Sequence, residues 1–373
     1  MGKATGFGIT DGTRTVPNGL SRGPTPAGQA SMPAEYDGTR MIVNTALGLW
    51  RHTAVRRVTI GAGVVTVLAV VGCAAIQTKE RELTFRVVPG TASWYQGLPE
   101  AVQEMDLPVV ADGVTQRIHA WWWPAGEHAP AVLYLHGARW NLTGQLFRIQ
   151  QLHDFGFSVL AIDYRGFGKS DGDVPSEATV YEDAAAAWQR LTELEPDPSR
   201  RFIYGHSLGG AVAIDLAARL SDEAAKTNAP APARGLVVES SFTTLADMAR
   251  QVTWSWVPVK LLLTQTFDSV DKIARVRMPV LIAHGADDRY VPARFSERLY
   301  EAAPEPKKLL LVQGGTHNNS MVVGNGEYKA ALHEFFGLAA DATRLRQVSL
   351  PRHSALSPAA AVEGVKPGAA TPR

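Results

Sequence analysis

The sequence predicts an α/β fold, a mostly parallel β-sheet with helices on both faces, preceded by an N-terminal membrane or signal segment. Three observations predict it. Short apolar runs recur between about residues 80 and 340, helical stretches alternate with them, and the runs are apolar throughout, as in strands covered on both sides. Residues 131–137, 157–166, 201–207, 235–240, 279–285 and 308–315 are such runs. The stretches 83–88 and 117–123, rich in β-branched or aromatic residues, read as earlier strands. Helices are expected over about 142–155, 176–194, 208–220, 293–303 and 328–336.

The ends read differently. Residues 1–57 form a Gly-, Thr- and Pro-rich leader that becomes basic, expected to be disordered, with Met32 and Met41 as alternative starts; residues 341–373 form a disordered Pro/Ala-rich tail. Between leader and catalytic part, residues 58–76 are 19 residues without a charge, about 28 Å as a helix against a hydrocarbon core of roughly 30 Å. Through residue 57 there are seven Lys/Arg against three Asp/Glu, so the leader is expected on the cytoplasmic side and the rest beyond the membrane, in the cell envelope. The same stretch also has the layout of a secretory signal, and Val70-Val71-Gly72-Cys73 resembles a bacterial lipobox whose cysteine takes a lipid. An uncleaved anchor, a lipoprotein signal on Cys73 and a buried core helix all remain open at this point.

Composition narrows the function. A single cysteine excludes an internal disulfide framework and a cysteine-rich zinc site, and 37 Lys+Arg against 36 Asp+Glu argue against nucleic acid as a partner. No metal or organic cofactor is expected. Gly166-Phe167-Gly168-Lys169-Ser170 is no phosphate loop, because Asp163 stands where its first glycine should.

In a parallel sheet the chemistry gathers at the carboxyl ends of strands. Gly205-His206-Ser207-Leu208-Gly209 sits between the strand at 201–204 and the helix at 208–220. Glycines two before and two after a serine permit the sharp turn that lifts its hydroxyl above the sheet, so Ser207 is the candidate nucleophile. It needs a base, and among ten histidines His317, in Gly314-Gly315-Thr316-His317-Asn318 after the last strand, is best placed. The orienting acid is expected in the loop after residue 283, where spacing leaves Asp288 and Asp287 open and Glu239 is a more distant competitor. Backbone N–H groups of Leu208 and Ala138 are the expected oxyanion donors.

The pieces LYLHG, DYRGFGKSDG, GHSLGG, ESSFTTLADMA, FDSVDKI, MPVLIAHGADDRYVP and GGTHNN, taken in order, resemble the alpha/beta-hydrolase superfamily over roughly residues 80–340. They look most like a lid-poor branch that includes membrane-associated acyl-protein thioesterases and bacterial esterase- or serine aminopeptidase-like members. In that branch the acid belongs to a His-Gly-x-x-Asp-x-x-Val-Pro motif, which places it on Asp288. The resemblance implies a membrane-tethered serine hydrolase acting on a small-molecule or lipid-like acyl ester or thioester, with a serine aminopeptidase-like amide hydrolase or a non-catalytic envelope binding protein as the alternatives. About 35 residues, 242–276, stand where a lid would be, and their apolar segment around Trp254 and Trp256 is expected to pack as a helix on the core, with an acyl-pocket or lipid-facing role as the alternative.

Overall fold

In the computed structural model the described residues are 38–338, except 112 and 255; the leader before residue 38 and the tail after 338 lie outside them. The chain divides into two units, residues 1–69 and 70–373. Helix α1 (Gly38–Phe85) contributes to both. In the first unit the described residues are helical, so residues 38–57 of the expected disordered leader are a correction: they continue the apolar helix toward its N-terminal side. Its apolar side chains, among them Val58, Ile60, Val64, Val67 and Leu68, are exposed. By length and composition this helix can cross a membrane, with a mean hydropathy of 2.3 in its most apolar window. The described side chains of that window are not buried.

The second unit holds an eight-stranded sheet in the order β1-β2-β4-β3-β5-β6-β7-β8. Its strands are β1 (Gln103–Ala111), β2 (Val114–Trp123), β3 (Ala131–Leu135), β4 (Ser158–Ile162), β5 (Arg201–His206), β6 (Gly235–Glu239), β7 (Val280–Gly285) and β8 (Lys307–Val312). From β4 to β8 the pairing is parallel, and β1 and β2 add an antiparallel ribbon at one edge. The helices are α2 (Leu142–Asp154), α3 (Glu177–Leu194), α4 (Leu208–Thr227), α5 (Leu245–Val252), α6 (Val259–Leu262), α7 (Ser269–Ile273), α8 (Arg294–Ala302), α9 (Ser320–Val323) and α10 (Asn325–Phe335).

The two-residue period of a strand sorts the core into two layers. Along β5, Ile203 faces a cluster with Val212, Ala213 and Leu216 of α4, while Phe202 and Tyr204 face one with Ile149 of α2 and Leu332 of α10. Along β2, Trp121 and Trp123 join the second layer and Trp122 packs on the first, which accounts for the triple tryptophan.

Two expectations need correction. Residues 83–88 are not a strand: Leu83–Phe85 end α1, because Phe85 packs inward with no neighbouring strand to pair with. The edge strand β1 lacked a continuous apolar run, since its face alternates between exposed and buried positions. The Asp112-Gly113 pair before β2 was its legible signal, the sequence mark of a tight hairpin. Helix α4 also outlasts its expected end, running to Thr227 and closing on Asn228 in the left-handed region. Strand β3 lies between β4 and β5, so the chain reverses its winding there and opens a crevice at the strand ends.

Candidate active site

Ser207 follows β5 at the N-terminus of α4 with φ 55° and ψ −119°. A left-handed serine is strained, and three contacts hold it there. Its N–H donates to Glu239 O at 2.8 Å, its carbonyl accepts from Gly210 N at 2.9 Å, and Ser241 Oγ donates to the same carbonyl at 2.9 Å. The flanking glycines are sterically required. A Cβ on Gly205 would lie 2.1 Å from Gly209 O, and one on Gly209 would lie 2.1 Å from Leu135 O. A serine at a helix start normally caps it; Ser207 does not, so its hydroxyl is left for other partners.

That partner is His317. Its Nε2 stands 3.1 Å from Ser207 Oγ and its Nδ1 2.8 Å from Asp288 Oδ2, giving a continuous line of hydrogen bonds. Of the two aspartates, Asp287 is exposed and Asp288 is buried. The Asp288 carboxylate also accepts from the N–H groups of Tyr290 and Val291, both at 2.8 Å, and meets His284 Nε2 at 3.2 Å. Burial alone would raise its pKa; the hydrogen bonds from His284 and His317 outweigh burial and hold it well below the usual carboxylate range. It is an ionised acceptor for the imidazole at any pH near neutrality.

The turn after β3 closes against the serine, and a Cβ on Gly137 would be 3.2 Å from Ser207 Cβ. Among the described residues, neither Ala138 N–H nor Leu208 N–H donates to a protein acceptor; Ala138 lines the crevice beside Ser207, and Leu208 follows Ser207 as the first residue of α4. The turn itself is fixed by Arg139, at φ 81°, whose N–H donates to Phe85 O at 2.9 Å and whose carbonyl accepts from Val88 N at 2.8 Å. His136 and His284 set loops, as their positions at strand ends imply. Burial lowers the His136 pKa to about 4, so it is neutral, and its Nδ1 donates to Gly137 O at 2.6 Å. Asp163 and Arg165 brace the next loop: Asp163 accepts from Leu142 N at 2.8 Å, and Arg165 Nε donates to Asp183 at 2.6 Å.

Two positioning features were not legible in the sequence. His206 reaches the backbone of His317, with Nε2 3.0 Å from its carbonyl; burial depresses its pKa far below the ordinary histidine value. Glu239 serves no histidine as an acid. It is fully buried and takes a fork of hydrogen bonds from Arg148 of α2, at 2.9 and 3.2 Å. Tyr204 and Ser320 hydroxyls each donate to it at 2.7 Å, and Arg148 also reaches Asn318 O at 3.4 Å. Burial would raise the Glu239 pKa, yet the neighbouring Arg148 charge and these hydrogen bonds bring it down to about 2. One buried pair thus binds the loop carrying His317 to the strand end that holds Ser207 N–H. No sequence signal joined Arg148 to Glu239, because 91 residues separate them.

A cavity of about 600 Å³ opens over the serine, with Trp94, Trp140, Phe147 and Tyr290 in its wall. Trp94 and Trp140 meet edge to face at 4.8 Å. Such a wall suits an apolar group, and beneath it lie a hydroxyl, an imidazole, an ionised carboxylate and backbone N–H groups that have no protein acceptor among the described residues. Among the described residues, no cluster suited to a metal ion is found. Cys73 lies on α1 with its side chain exposed, away from this constellation in sequence.

The chain is similar to several known proteins. The family described as Hydrolase_4, Serine aminopeptidase, S33, matches residues 126–269. An uncharacterized protein of Mycobacterium tuberculosis is 36% identical over 237 residues, 61% of this chain and 80% of that one. The lysophosphatidylserine lipase ABHD12 of Danio rerio is 32% identical over 196 residues, 48% of this chain and 49% of the lipase. A solved esterase of Pyrococcus furiosus shares the fold, with a TM-score of 0.51 at 20% identity over 67% of this chain and 97% of its own. An eight-stranded, mostly parallel sheet, a strained serine between strand and helix, and these likenesses have one reading: the chain belongs to the alpha/beta-hydrolase superfamily and is a hydrolase.

Proposed function

We propose that this hydrolase cleaves carboxylic esters or thioesters through an acyl-enzyme on Ser207, while tethered to a membrane by the segment at 58–76. The reading rests on the hydrogen-bond line Asp288–His317–Ser207. Ser207 Oγ attacks the acyl carbonyl and its proton passes to His317 Nε2. The oxyanion that forms is held by the N–H groups of Ala138 and Leu208, and Asp288 stabilises the imidazolium. Collapse breaks the acyl C–O or C–S bond, and His317 returns the proton to the leaving alcohol or thiol. Water, deprotonated by the same histidine, then releases the acid and restores Ser207.

An ester is favoured over the amide at a peptide N-terminus by the charge of the cavity. Its described lining holds Arg139 and no carboxylate, Arg148 being already paired with Glu239 beneath it, so a substrate ammonium meets no counter-charge there. The lipase named among the relatives supports a lipid-like acyl group. Asp288→Asn is expected to lower kcat for p-nitrophenyl esters by about 10⁴-fold, by presenting the wrong hydrogen-bond partner to His317. Asp287→Asn is expected to leave kcat near wild type. Equal losses in the two variants would overturn the assignment.

The basic leader supports a catalytic unit on the non-cytoplasmic side. Two tethers fit the segment, an uncleaved helix or a lipid on Cys73. Labelled-lipid incorporation in growing cells separates them: loss in Cys73→Ser identifies the lipoprotein, and absence of label in wild type identifies the uncleaved helix.

A further inference from the structure

The residues between α5 and α7 do not pack as the sequence suggests. Val252 is 86% exposed, Trp254 and Trp256 are each 74% exposed, and Leu262 is 51% exposed; among the described residues of 252–262, Val259 alone is buried. The two indoles lie parallel at 5.8 Å, with an interplanar angle of 12°, forming one apolar plate. A protein surface rarely displays so much aromatic area without a partner. We propose that residues 252–262 dock on the surface of an anionic lipid bilayer, with Trp254 and Trp256 seated among the headgroups beside the mouth of the Ser207 cavity. This rests on the membrane-tethered reading given above.

Three observations carry it. The first is a clamp. Glu80, on the last turns of α1, accepts from Thr264 N and Gln265 N at 2.9 Å and from Thr264 Oγ1 at 2.6 Å. Glu80 stands four residues after Ile76, about 6 Å along a helix. The C-terminal end of the segment that carries the plate is therefore tied to the point where the apolar stretch of α1, with Val70, Val71 and Ile76 exposed, gives way to charged residues. That is the depth at which tryptophan settles in a bilayer, its ring apolar and its N–H wet.

The second is charge. Between Asp247 and Asp268 the chain has Arg250 and Lys260 and no carboxylate, and both cations are exposed, Arg250 with an ion pair to Asp247. A plate of indoles flanked by cations suits anionic headgroups. The third is continuity with the site. Gln251 accepts a hydrogen bond from Arg294, in the helix that follows the Asp288 loop. Arg86, one residue past α1, donates to the hydroxyl of Tyr290 in the cavity wall at 3.1 Å. These contacts link the ends of the plate segment and of α1 to the elements that carry Asp288 and wall the cavity.

The test uses the full chain reconstituted in vesicles of phosphatidylcholine and phosphatidylglycerol, as wild type and as Trp254→Ala/Trp256→Ala. Tryptophan emission is read with and without phospholipids brominated at acyl carbons near the headgroup. A lipid ester in the vesicles and a soluble short p-nitrophenyl ester report activity. The expected result is a clear fall in bromolipid quenching in the variant and a several-fold fall in lipid-ester hydrolysis, with soluble-ester hydrolysis unchanged. If the variant floats with vesicles and shows wild-type quenching, docking is overturned and the tether stands. If the wild type does not float with vesicles, the tether and the docking both fall. Unchanged quenching with a smaller oligomer in the variant assigns the plate to a second copy of the chain and overturns bilayer docking.

Discussion

Replacing Ser207 by alanine is expected to lower kcat for a carboxylic ester by about 10⁵- to 10⁶-fold and to abolish labelling by a fluorophosphonate probe. The loss is this large because no neighbouring hydroxyl takes the same place: Ser240 and Ser241 are turned into the core, and His317 Nε2 has Ser207 Oγ as its hydrogen-bond partner. Some rate over water survives, roughly 10³- to 10⁴-fold, since the Ala138 and Leu208 amides and the cavity still bind the reacting carbonyl. Stability should hardly move, by about 1 kcal/mol or less. The Ser207 side chain caps nothing in α4, and alanine suffers the same strain at φ 55° that serine does. His317→Ala should cost nearly as much activity, and the double variant little more, because the two act as one unit. Undiminished probe labelling of Ser207→Ala, with wild-type turnover, would overturn the mechanism.

Removing Glu239 is expected to have the largest effect on stability. Arg148 and Glu239 are 1% and 0% exposed at their side chains, so Glu239→Ala leaves a guanidinium buried without its counter-charge. Such a break costs about 3–5 kcal/mol, or about 10 °C in Tm for a domain of this size. Tyr204 and Ser320 lose their acceptor as well, and the loop carrying His317 loses its support, so kcat should fall by about 10²-fold in protein that remains folded. Replacing the pair together, Arg148→Met with Glu239→Leu, is expected to recover most of the stability and little of the activity. Recovery of both would show that the pair does not position His317.

The pH dependence follows from the direction of the shift. In the folded protein the Glu239 pKa is about 2, below its unfolded value of about 4.3, so the pair stabilises fully above the unfolded pKa. That contribution is lost as pH falls toward 2. Urea titrations should therefore find the gap between wild type and Glu239→Gln narrowing between about pH 5 and pH 2. A constant gap would contradict the assignment.

The sheet and its helices were legible because buried parallel strands are apolar throughout and leave continuous runs. Strand β1 was not, since an edge strand facing solvent alternates and contains Pro108. Residues 83–88 carried strand-like side chains, but a strand exists only with a neighbour to bond, and the sheet has none for them. The exposure of Trp254 and Trp256 was equally out of reach, because hydropathy records how apolar a segment is and not what covers it.

The serine turn was legible in the sequence: Gly205 is demanded by Gly209 O four residues on and Gly209 by Leu135 O of the adjacent strand, and glycine at both positions announces that crowding. The uncharged stretch at 58–76 and the chain order of Ser207, Asp288 and His317 were legible there too. Spacing did not choose between Asp287 and Asp288. The resemblance favoured Asp288, and tertiary structure turned it inward, where the N–H groups of Tyr290 and Val291 fix its direction. Only tertiary structure gave Glu239 to Arg148 and Glu80 to Thr264, because a buried or clamping charge is decided by which partner folding brings within about 3 Å.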